Sequence, residues 1–282
     1  MKNNKIWFVN KTYGYGWTPA TWEGWLVIFL WLILFVPLTL AVEHNLPFSL
    51  IGIFFVTGLL IYICYKKGEK PHWQWGKKNQ NLKLLLTSAG LANQKIKEVF
   101  LAEVGEPLKE KMVLLIAYAQ NNDEQFYVDK SVEELQTLGM QKITIFNLHK
   151  PTVVTNLPKF DVIYMCGGNT FSILKKLRET GIDKLVISQV NSGALYVGVS
   201  AGSIIAGPDI KIAGHGSEGD PNDVKLVDLS GFKFTDTIIF PHYRELLKSE
   251  VESFQRLVKN PVIALTDNQA LLISGGKSII IE

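Results

Sequence analysis

The sequence predicts an α/β fold with a doubly wound, mostly parallel sheet, preceded by a transmembrane α-hairpin. From Leu82 onward, short apolar runs alternate with amphipathic helical patterns, which is typical of a parallel sheet covered by helices on both faces. Before that point, residues 24–42 and 45–65 contain no charged side chain. Further along the chain, Gly198–Gly202 places Ser200 between two glycines after an apolar run, which predicts a strand, a sharp turn and a helix.

The two uncharged stretches are each about long enough to cross a bilayer core as a helix, so residues 1–65 are predicted to form a membrane hairpin. Aromatic residues cluster at its ends, as in interfacial belts, at Tyr13, Tyr15, Trp17, Trp22, Trp25, Trp73 and Trp75. The alternatives are a buried helical hairpin of a soluble domain and a signal peptide cleaved near Thr39–Ala41. The aromatic leader is a poor signal-peptide start, which favours the membrane hairpin.

Lysines flank the hairpin on one side, at Lys2, Lys5, Lys11, Lys66, Lys67, Lys70, Lys77 and Lys78. The connecting turn offers only Glu43 and His44. The positive-inside rule then predicts a multi-pass protein of the cell membrane with both termini in the cytoplasm. A basic linker over residues 66–80 and an α/β domain over residues 81–282 would follow. That domain is expected in the cytoplasm even if the first span were cleaved.

Net charge follows the same division. The first 79 residues contain eight lysines and three glutamates while the whole chain carries +3, so the remainder carries −2. The lysines beside the membrane are expected to attract anionic lipid, whereas nucleic acid has no basic footprint to bind. Cys64 and Cys166 are far apart in sequence and in a reducing compartment, so no disulfide is expected. A composition of 47% hydrophobic and 20% charged residues excludes a disordered or fibrous protein.

The soluble part contains a series of short patterned segments. Strands are predicted over residues 82–88, 112–119, 142–146, 161–166, 194–197, 237–240, 262–266, 270–274 and 278–281. Helices are predicted over residues 93–104, 123–138, 170–180 and 245–259. Residues 207–235 have no periodicity, and a loop of this kind commonly carries a functional site.

Ser200 is the predicted nucleophile, because glycines on both sides allow a close, strained approach of the chain that a side chain would block. A nucleophilic serine needs a base to take its proton. His242 is the predicted base, since it follows a strand end and precedes a helix, where side chains of a parallel sheet converge. His215, in the glycine-rich stretch, is the alternative base.

An acid must orient that base, and Asp220 is predicted to do so because Gly219–Asn222 has the form of a fixed turn presenting a carboxylate. Asp223 and Asp228 also lie between the serine and the histidine and remain alternatives. For the oxyanion, the amide of Ala201 begins a helix, and a second amide would come from the turn at Gly167–Thr170. No His, Cys or carboxylate cluster has the spacing of metal ligands, so neither a metal nor a cofactor is expected.

Together these motifs resemble the dipeptidase E and cyanophycinase family of serine peptidases. The segments that carry the resemblance are Met165–Phe171, Gly198–Ser203, Gly219–Asn222, Phe240–Glu245 and Ala264–Ala270. The resemblance implies a cytosolic hydrolase on a class I glutamine amidotransferase-like fold. It maps an oxyanion amide to Gly168, the nucleophile to Ser200 and the histidine to His242, and the spacing favours Asp220 as the acid.

Two features depart from that family. The residues before Lys83 have no counterpart in its soluble members, and the arginine that reads aspartyl substrates is missing from its expected context. Arg244 or Arg256 could serve instead, so Arg244 and Asn169 are the predicted substrate-binding residues, without aspartyl specificity being assumed.

The sequence therefore predicts a membrane-tethered cytoplasmic serine peptidase that hydrolyses short peptides through a Ser-His-Asp triad and an acyl-enzyme. One alternative is an esterase or other amide hydrolase on a similar fold, since α/β-hydrolases share the chain order Ser, Asp, His. The other is a catalytically inactive ligand-binding module anchored to the membrane. The sequence leaves a homodimer open.

Overall fold

The computed structural model describes residues 6–11, 13–69, 71, 74–75, 82–150 and 157–282. The chain divides into two compact units, Met1–Lys78 and Asn79–Glu282. Part of the predicted basic linker, at residues 70, 72–73 and 76–80, lies outside the described residues.

In its described residues, the first unit contains short strands and two long helices. They are β1 (Phe8–Asn10), β2 (Tyr13–Gly14), β3 (Trp17–Pro19), α1 (Trp22–Leu40), α2 (Leu46–Lys67) and β4 (Gln74–Trp75). β1 pairs with β3 and β2 with β4, both antiparallel. The segment before α1 is bonded to the end of α2, because the Trp7 N–H donates to the Lys67 carbonyl at 2.7 Å. The Trp17 indole N–H also donates to the Glu69 carbonyl, at 2.8 Å.

The helices α1 and α2 are the two apolar helices expected from the sequence. Thr21 caps the start of α1 by accepting the Gly24 N–H, and Pro37 lies within the last turn of that helix. The segments Trp22–Glu43 and Leu46–Lys67 have mean hydropathies of 2.6 and 2.3, and few of their side chains are buried. By length and composition, both are able to cross a membrane.

The second unit alternates strands and helices. Its strands are β5 (Lys83–Thr87), β6 (Met112–Ala117), β7 (Lys142–Asn147), β8 (Val162–Met165), β9 (Leu195–Val199), β10 (Ile238–Phe240), β11 (Val262–Ala264), β12 (Ala270–Ser274) and β13 (Lys277–Ile281). Its helices are α3 (Gln94–Val104), α4 (Asn122–Thr137), α5 (Thr170–Thr180), α6 (Ile182–Asn191), α7 (Ala201–Ile205) and α8 (Lys248–Leu257). The predicted elements are present within a few residues, and α6 is an addition.

The main sheet has seven strands in the order β13-β12-β5-β9-β8-β6-β7. The strands β5, β9, β8, β6 and β7 run parallel, and β12 and β13 join antiparallel at one edge. Successive strand residues point to opposite faces, so Leu85 packs with α3 and α4 while Leu84 and Leu86 pack with α5, α6 and α7. The α/β class with a mostly parallel, doubly wound sheet is therefore confirmed.

The strands β10 and β11 form a separate parallel pair, with Phe240 opposite Ala264. The sequence does not distinguish these strands from those of the main sheet. Because parallel strands end side by side, the segments that follow β10 and β11 leave at the same edge. Those segments carry His242 and Asp267.

Candidate active site

Ser200 lies in the sharp turn between β9 and α7, with φ +49° and ψ −107°, a conformation that residues other than glycine rarely adopt. The turn requires a close approach of backbone on both sides. A Cβ on Gly198 would lie 2.7 Å from the Gly202 carbonyl carbon, and a Cβ on Gly202 would lie 2.5 Å from the Met165 carbonyl oxygen. A side chain at either position would therefore collide with this backbone.

Buried hydrogen bonds hold this turn. The Ser200 N–H donates to the Thr87 carbonyl at 3.0 Å. The Ser203 hydroxyl lies 2.7 Å from the carbonyl oxygens of both Thr87 and Gly198. The Tyr196 hydroxyl donates to the Gly202 carbonyl at 2.7 Å, and burial raises the pKa of this phenol so that the proton it donates is retained. Hydrogen bonds to the backbone of β5 and β9 therefore fix the position of Ser200.

His242 joins Ser200 to a carboxylate. Its Nε2 lies 2.9 Å from Ser200 Oγ, and its Nδ1 lies 2.6 Å from Asp267 Oδ1. A carboxylate accepts hydrogen bonds, so Nδ1 carries the proton and Nε2 is free to accept from the serine hydroxyl. The His242 and Asp267 side chains are 48% and 63% exposed, so solvent reaches this pair.

The parallel pair β10 and β11 brings the histidine and the aspartate together. His242 follows β10 by two residues, and Asp267 follows β11 by three. The Leu265 N–H donates to the Phe240 carbonyl and the Tyr243 N–H donates to the Leu265 carbonyl, both at 2.9 Å. The two segments therefore continue the strand pairing up to the site.

A cleft opens beside Ser200 and His242. Its other lining residues are Gly168, Thr170, Ile204, Ile212, Ala213, His215, Glu218, Gly219, Asp220, Phe240, Pro241, Leu247 and Glu250. Three carboxylates contribute to this lining, and none of the described lining residues is lysine or arginine. Arg244 forms an ion pair with Glu218, one of the three. The cleft therefore has an acidic lining next to a hydrogen-bonded serine and histidine.

Comparison with known proteins supplies the class of this site. The sequence profile described as Peptidase family S51 matches residues 84–281, which include Ser200, His242 and Asp267.

This chain belongs to peptidase family S51.

It is a serine-type peptidase of the peptidase E kind. An uncharacterized peptidase of Listeria monocytogenes is 31% identical over 180 residues, which cover 61% of this chain and 86% of that protein. Peptidase E of Salmonella newport is 32% identical over 167 residues, which cover 55% and 69%. A crystal structure of a candidate peptidase E from Listeria monocytogenes EGD-e has a TM-score of 0.59 at 28% identity, and covers 71% of this chain and 97% of that one.

In this S51 chain, Asp220 lies in a different place from the one expected for it. Its Oδ2 accepts the Thr170 N–H at 2.8 Å and the Thr170 hydroxyl at 2.6 Å. Asp220 therefore caps the start of α5, while Asp267 occupies the position beside His242. This corrects the expectation that Asp220 orients the histidine. The turn at residues 219–222 does present a carboxylate, but that carboxylate contacts the start of α5 and not His242.

Asn169, an expected substrate-binding residue, is also engaged within the protein. Its Oδ1 accepts the Ser172 N–H at 2.9 Å, and its Nδ2 donates to the Pro221 carbonyl at 2.9 Å. The side chain therefore ties the start of α5 to the loop that contains Asp220. Arg244, the other expected substrate-binding residue, is held by Glu218.

The remaining alternatives are exposed or hydrogen-bonded to other groups. Asp223 is exposed. Asp228 accepts the Ser230 N–H and pairs with Arg178 at 3.3 Å, and these contacts, the Ser230 hydrogen bond foremost, lower the pKa of Asp228. His215 contacts the Glu250 carbonyl and the Ser253 hydroxyl through Nε2, at 3.1 and 2.9 Å. His215 thus lines the cleft while its Nε2 faces α8.

The two expected oxyanion donors flank Ser200. Ala201 is its buried neighbour at the start of α7. Gly168 lines the cleft with φ +133°, and a Cβ on the preceding Gly167 would lie 3.3 Å from Ser200 Cβ. The Gly-Gly turn is therefore packed against the serine. Their use as donors stays a prediction.

Cys166, the other nucleophile at this end of β8, is buried. Burial raises the pKa of its thiol to about 12, so the thiol is protonated at neutral pH and is a poor nucleophile. Among the described residues, no group of three or more His, Cys, Asp or Glu side chains could hold a metal ion.

Asp267 is the site residue that sequence reasoning did not select. It lies in Ala264–Ala270, one of the segments that carry the family resemblance, which was the signal available.

Proposed function

We propose that this chain is a membrane-anchored serine peptidase that hydrolyses short peptides through Ser200, His242 and Asp267. The observation that carries the proposal is the pair of hydrogen bonds on His242, one to Ser200 Oγ and one to Asp267 Oδ1. A hydroxyl, an imidazole and a carboxylate in this order are the parts that acyl transfer needs. Asp267 takes the role that the sequence suggested for Asp220.

In the proposed reaction, Ser200 Oγ attacks the scissile carbonyl while its proton passes to His242 Nε2. Asp267 stabilises the imidazolium that results. The Gly168 and Ala201 amides donate to the tetrahedral oxyanion, and His242 then returns the proton to the leaving amine. Water hydrolyses the acyl-enzyme by the same steps, which restores Ser200 and releases the acid product.

The cleft lining bears on the substrate. Asp220 and Glu250 would repel an acidic side chain, while Glu218 and Arg244, the nearest arginine in sequence to His242, neutralise each other. We therefore propose that peptides with a cationic group next to the scissile bond are preferred to aspartyl peptides. The family membership alone does not determine this preference.

Membrane attachment through α1 and α2 rests on their length and hydropathy. Lys66 and Lys67 lie in the last turn of α2, while the turn between the helices contains Glu43 and His44. By the positive-inside rule, we propose that the α/β unit lies on the cytoplasmic side. Its substrates would then be peptides that reach the inner membrane surface.

The test is hydrolysis of a library of dipeptides and tripeptides by the full-length protein. Turnover is expected in the wild type and in His215→Ala, and it should be lost in Ser200→Ala and His242→Ala. Loss of turnover in His215→Ala together with full activity in His242→Ala would overturn the assignment of the base. Extraction of membranes at alkaline pH should leave the protein in the pellet, and its release would contradict the anchor.

A further inference from the structure

Ser88 follows the last residue of β5 and is fully buried beneath the site. It lies outside the cleft lining and touches neither Ser200 nor the Asp267 carboxylate in the hydrogen bonds of the described residues. Nothing in the proposed reaction uses its hydroxyl. Its contacts nevertheless reach both segments that carry the histidine and the aspartate.

The Ser88 hydroxyl makes one bond to each of these segments. It donates to the Leu265 carbonyl at 2.8 Å, two residues before Asp267, and it accepts the His242 N–H at 3.1 Å. A hydroxyl has a single proton to donate, so the donor function of Ser88 is fully used. The side chain is thus a buried bridge between the two segments that must be kept in register.

The residue before Ser88 holds the third member of the site. The Thr87 carbonyl accepts the Ser200 N–H at 3.0 Å. The dipeptide Thr87–Ser88 therefore contacts all three segments of the proposed triad. It comes from the end of β5, which is paired on both sides with β9 and β12.

His242 needs such an anchor because of its conformation. Its φ is +55°, which a residue with a Cβ adopts only when its surroundings impose it. The His242 and Asp267 side chains are largely exposed, so packing around them does little to fix their orientation. The fixed reference for both is the backbone beneath them, and Ser88 ties that backbone to the sheet.

We propose that Ser88 is a positioning residue that keeps His242 and Asp267 aligned with each other. The inference rests on the proposed triad and adds a residue that acts through it. Removing the Ser88 hydroxyl would leave the His242 N–H without its buried acceptor and loosen the Leu265 carbonyl. Ser200 would then react more slowly, because His242 would be aligned with Asp267 and Ser200 for a smaller fraction of the time. Ligand binding in the cleft would be retained.

A double-mutant cycle with Asp267→Asn tests this role in the full-length protein. The readout is the rate of labelling of Ser200 by a fluorophosphonate, resolved into the maximal rate and the probe concentration at half saturation. Ser88→Ala should lower the maximal rate about tenfold and leave the half-saturating concentration within about twofold. In the Asp267→Asn background, Ser88→Ala should slow labelling by less than about threefold, because the negative charge with which His242 is aligned is already removed.

Ser203→Ala is the matched control, since Ser203 is equally buried and bonds to the Thr87 and Gly198 carbonyls without touching His242 or Leu265. It should lower the thermal midpoint about as much as Ser88→Ala, and its effect on labelling should persist unchanged in the Asp267→Asn background. Equal effects of Ser88→Ala in both backgrounds, or a labelling rate within twofold of wild type, would overturn the proposal.

If Ser88→Ala does not fold, Ser88→Cys retains a group of similar size with weaker hydrogen bonding. Its expected slowing is about threefold in the wild type and less than half of that in Asp267→Asn. Equal slowing in the wild-type and Asp267→Asn backgrounds would again contradict a positioning role for Ser88. If Ser200 is labelled in the wild type and labelling slows in Asp267→Asn, the proposed triad is supported whatever Ser88→Ala does. Failure of the Ser88 proposal can therefore be distinguished from failure of the triad.

Discussion

Replacing Asp267 by asparagine removes the negative charge beside His242 Nδ1 and keeps the shape of the side chain. The contact that changes is the 2.6 Å hydrogen bond between Nδ1 and Oδ1. During attack by Ser200, His242 becomes positively charged, and the Asp267 carboxylate stabilises that charge. The substitution should therefore slow acyl transfer while leaving the fold and the cleft intact.

The magnitude follows from the exposure of the pair. Two unit charges about 4 Å apart attract by about 1 kcal/mol in bulk water and by about 4 kcal/mol near a protein surface. Because the two side chains are 48% and 63% exposed, the attraction should lie between these limits, at about 2–3 kcal/mol. At about 1.4 kcal/mol for each tenfold in rate, this corresponds to a loss of about 30- to 150-fold. A buried triad aspartate contributes about 10⁴-fold, so the expected loss here is smaller.

The assay is the rate of fluorophosphonate labelling and of peptide hydrolysis for Asp267→Asn, with thermal unfolding of the same samples. Asp220→Asn is the matched comparison, because it removes the same charge from a carboxylate that caps α5 through Thr170. A charge at a helix start contributes about 0.3–1 kcal/mol to stability, so Asp220→Asn should lower the unfolding midpoint slightly. Its labelling rate should fall less than about fivefold.

The opposite pattern would contradict the assignment of Asp267 as the acid. If Asp220→Asn lost about 100-fold in rate while Asp267→Asn stayed within a few-fold of wild type, the acid would be Asp220.

Three other results are expected. Ser200→Gly should be more stable to denaturant than Ser200→Ala by about 1 kcal/mol, because glycine relieves the φ of +49°, and equal stabilities would argue against strain in the turn. Gly198→Ala should destabilise the protein by about 3 kcal/mol or more in the same measurement, since its Cβ would lie 2.7 Å from the backbone of Gly202. A change under about 1 kcal/mol would contradict that contact. Cys166 should react with iodoacetamide at pH 8 at least about 100-fold more slowly in the native protein than after denaturation, because burial raises the pKa of its thiol to about 12. Comparable rates, measured by peptide mapping, would show that the thiol is accessible.

The order of strands and helices and the serine turn were predictable because each has a local signature. Apolar runs of strand length, amphipathic helical patterns and the glycines around Ser200 depend on residues close together in sequence. The helix α6 was missed for a local reason too: it follows α5 after the single residue Gly181, whose φ of +74° ends one helix and allows another to start. The sequence does contain a local signal for α6, because the buried residues Ile182, Val186 and Val190 lie at helical spacing.

The partner of His242 was not predictable in the same way. Asp220 lies in the turn-forming segment Gly219–Asn222, whereas Asp267 follows a predicted strand, and neither local pattern shows which carboxylate reaches His242. What separates them is the parallel pairing of β10 with β11 outside the main sheet, which places Asp267 beside His242. That pairing joins segments more than 20 residues apart, and Ser88 reaches the same two segments from a strand 154 residues earlier than His242.

The most direct test of Ser200 as the nucleophile is the site of covalent modification by a fluorophosphonate in the full-length protein, read by mass spectrometry of its peptides. One modified residue, Ser200, is expected in the folded protein, with no modification after heat denaturation or in His242→Ala. Peptide hydrolysis that survives in Ser200→Ala, or modification of a different residue at the same rate, would contradict this assignment.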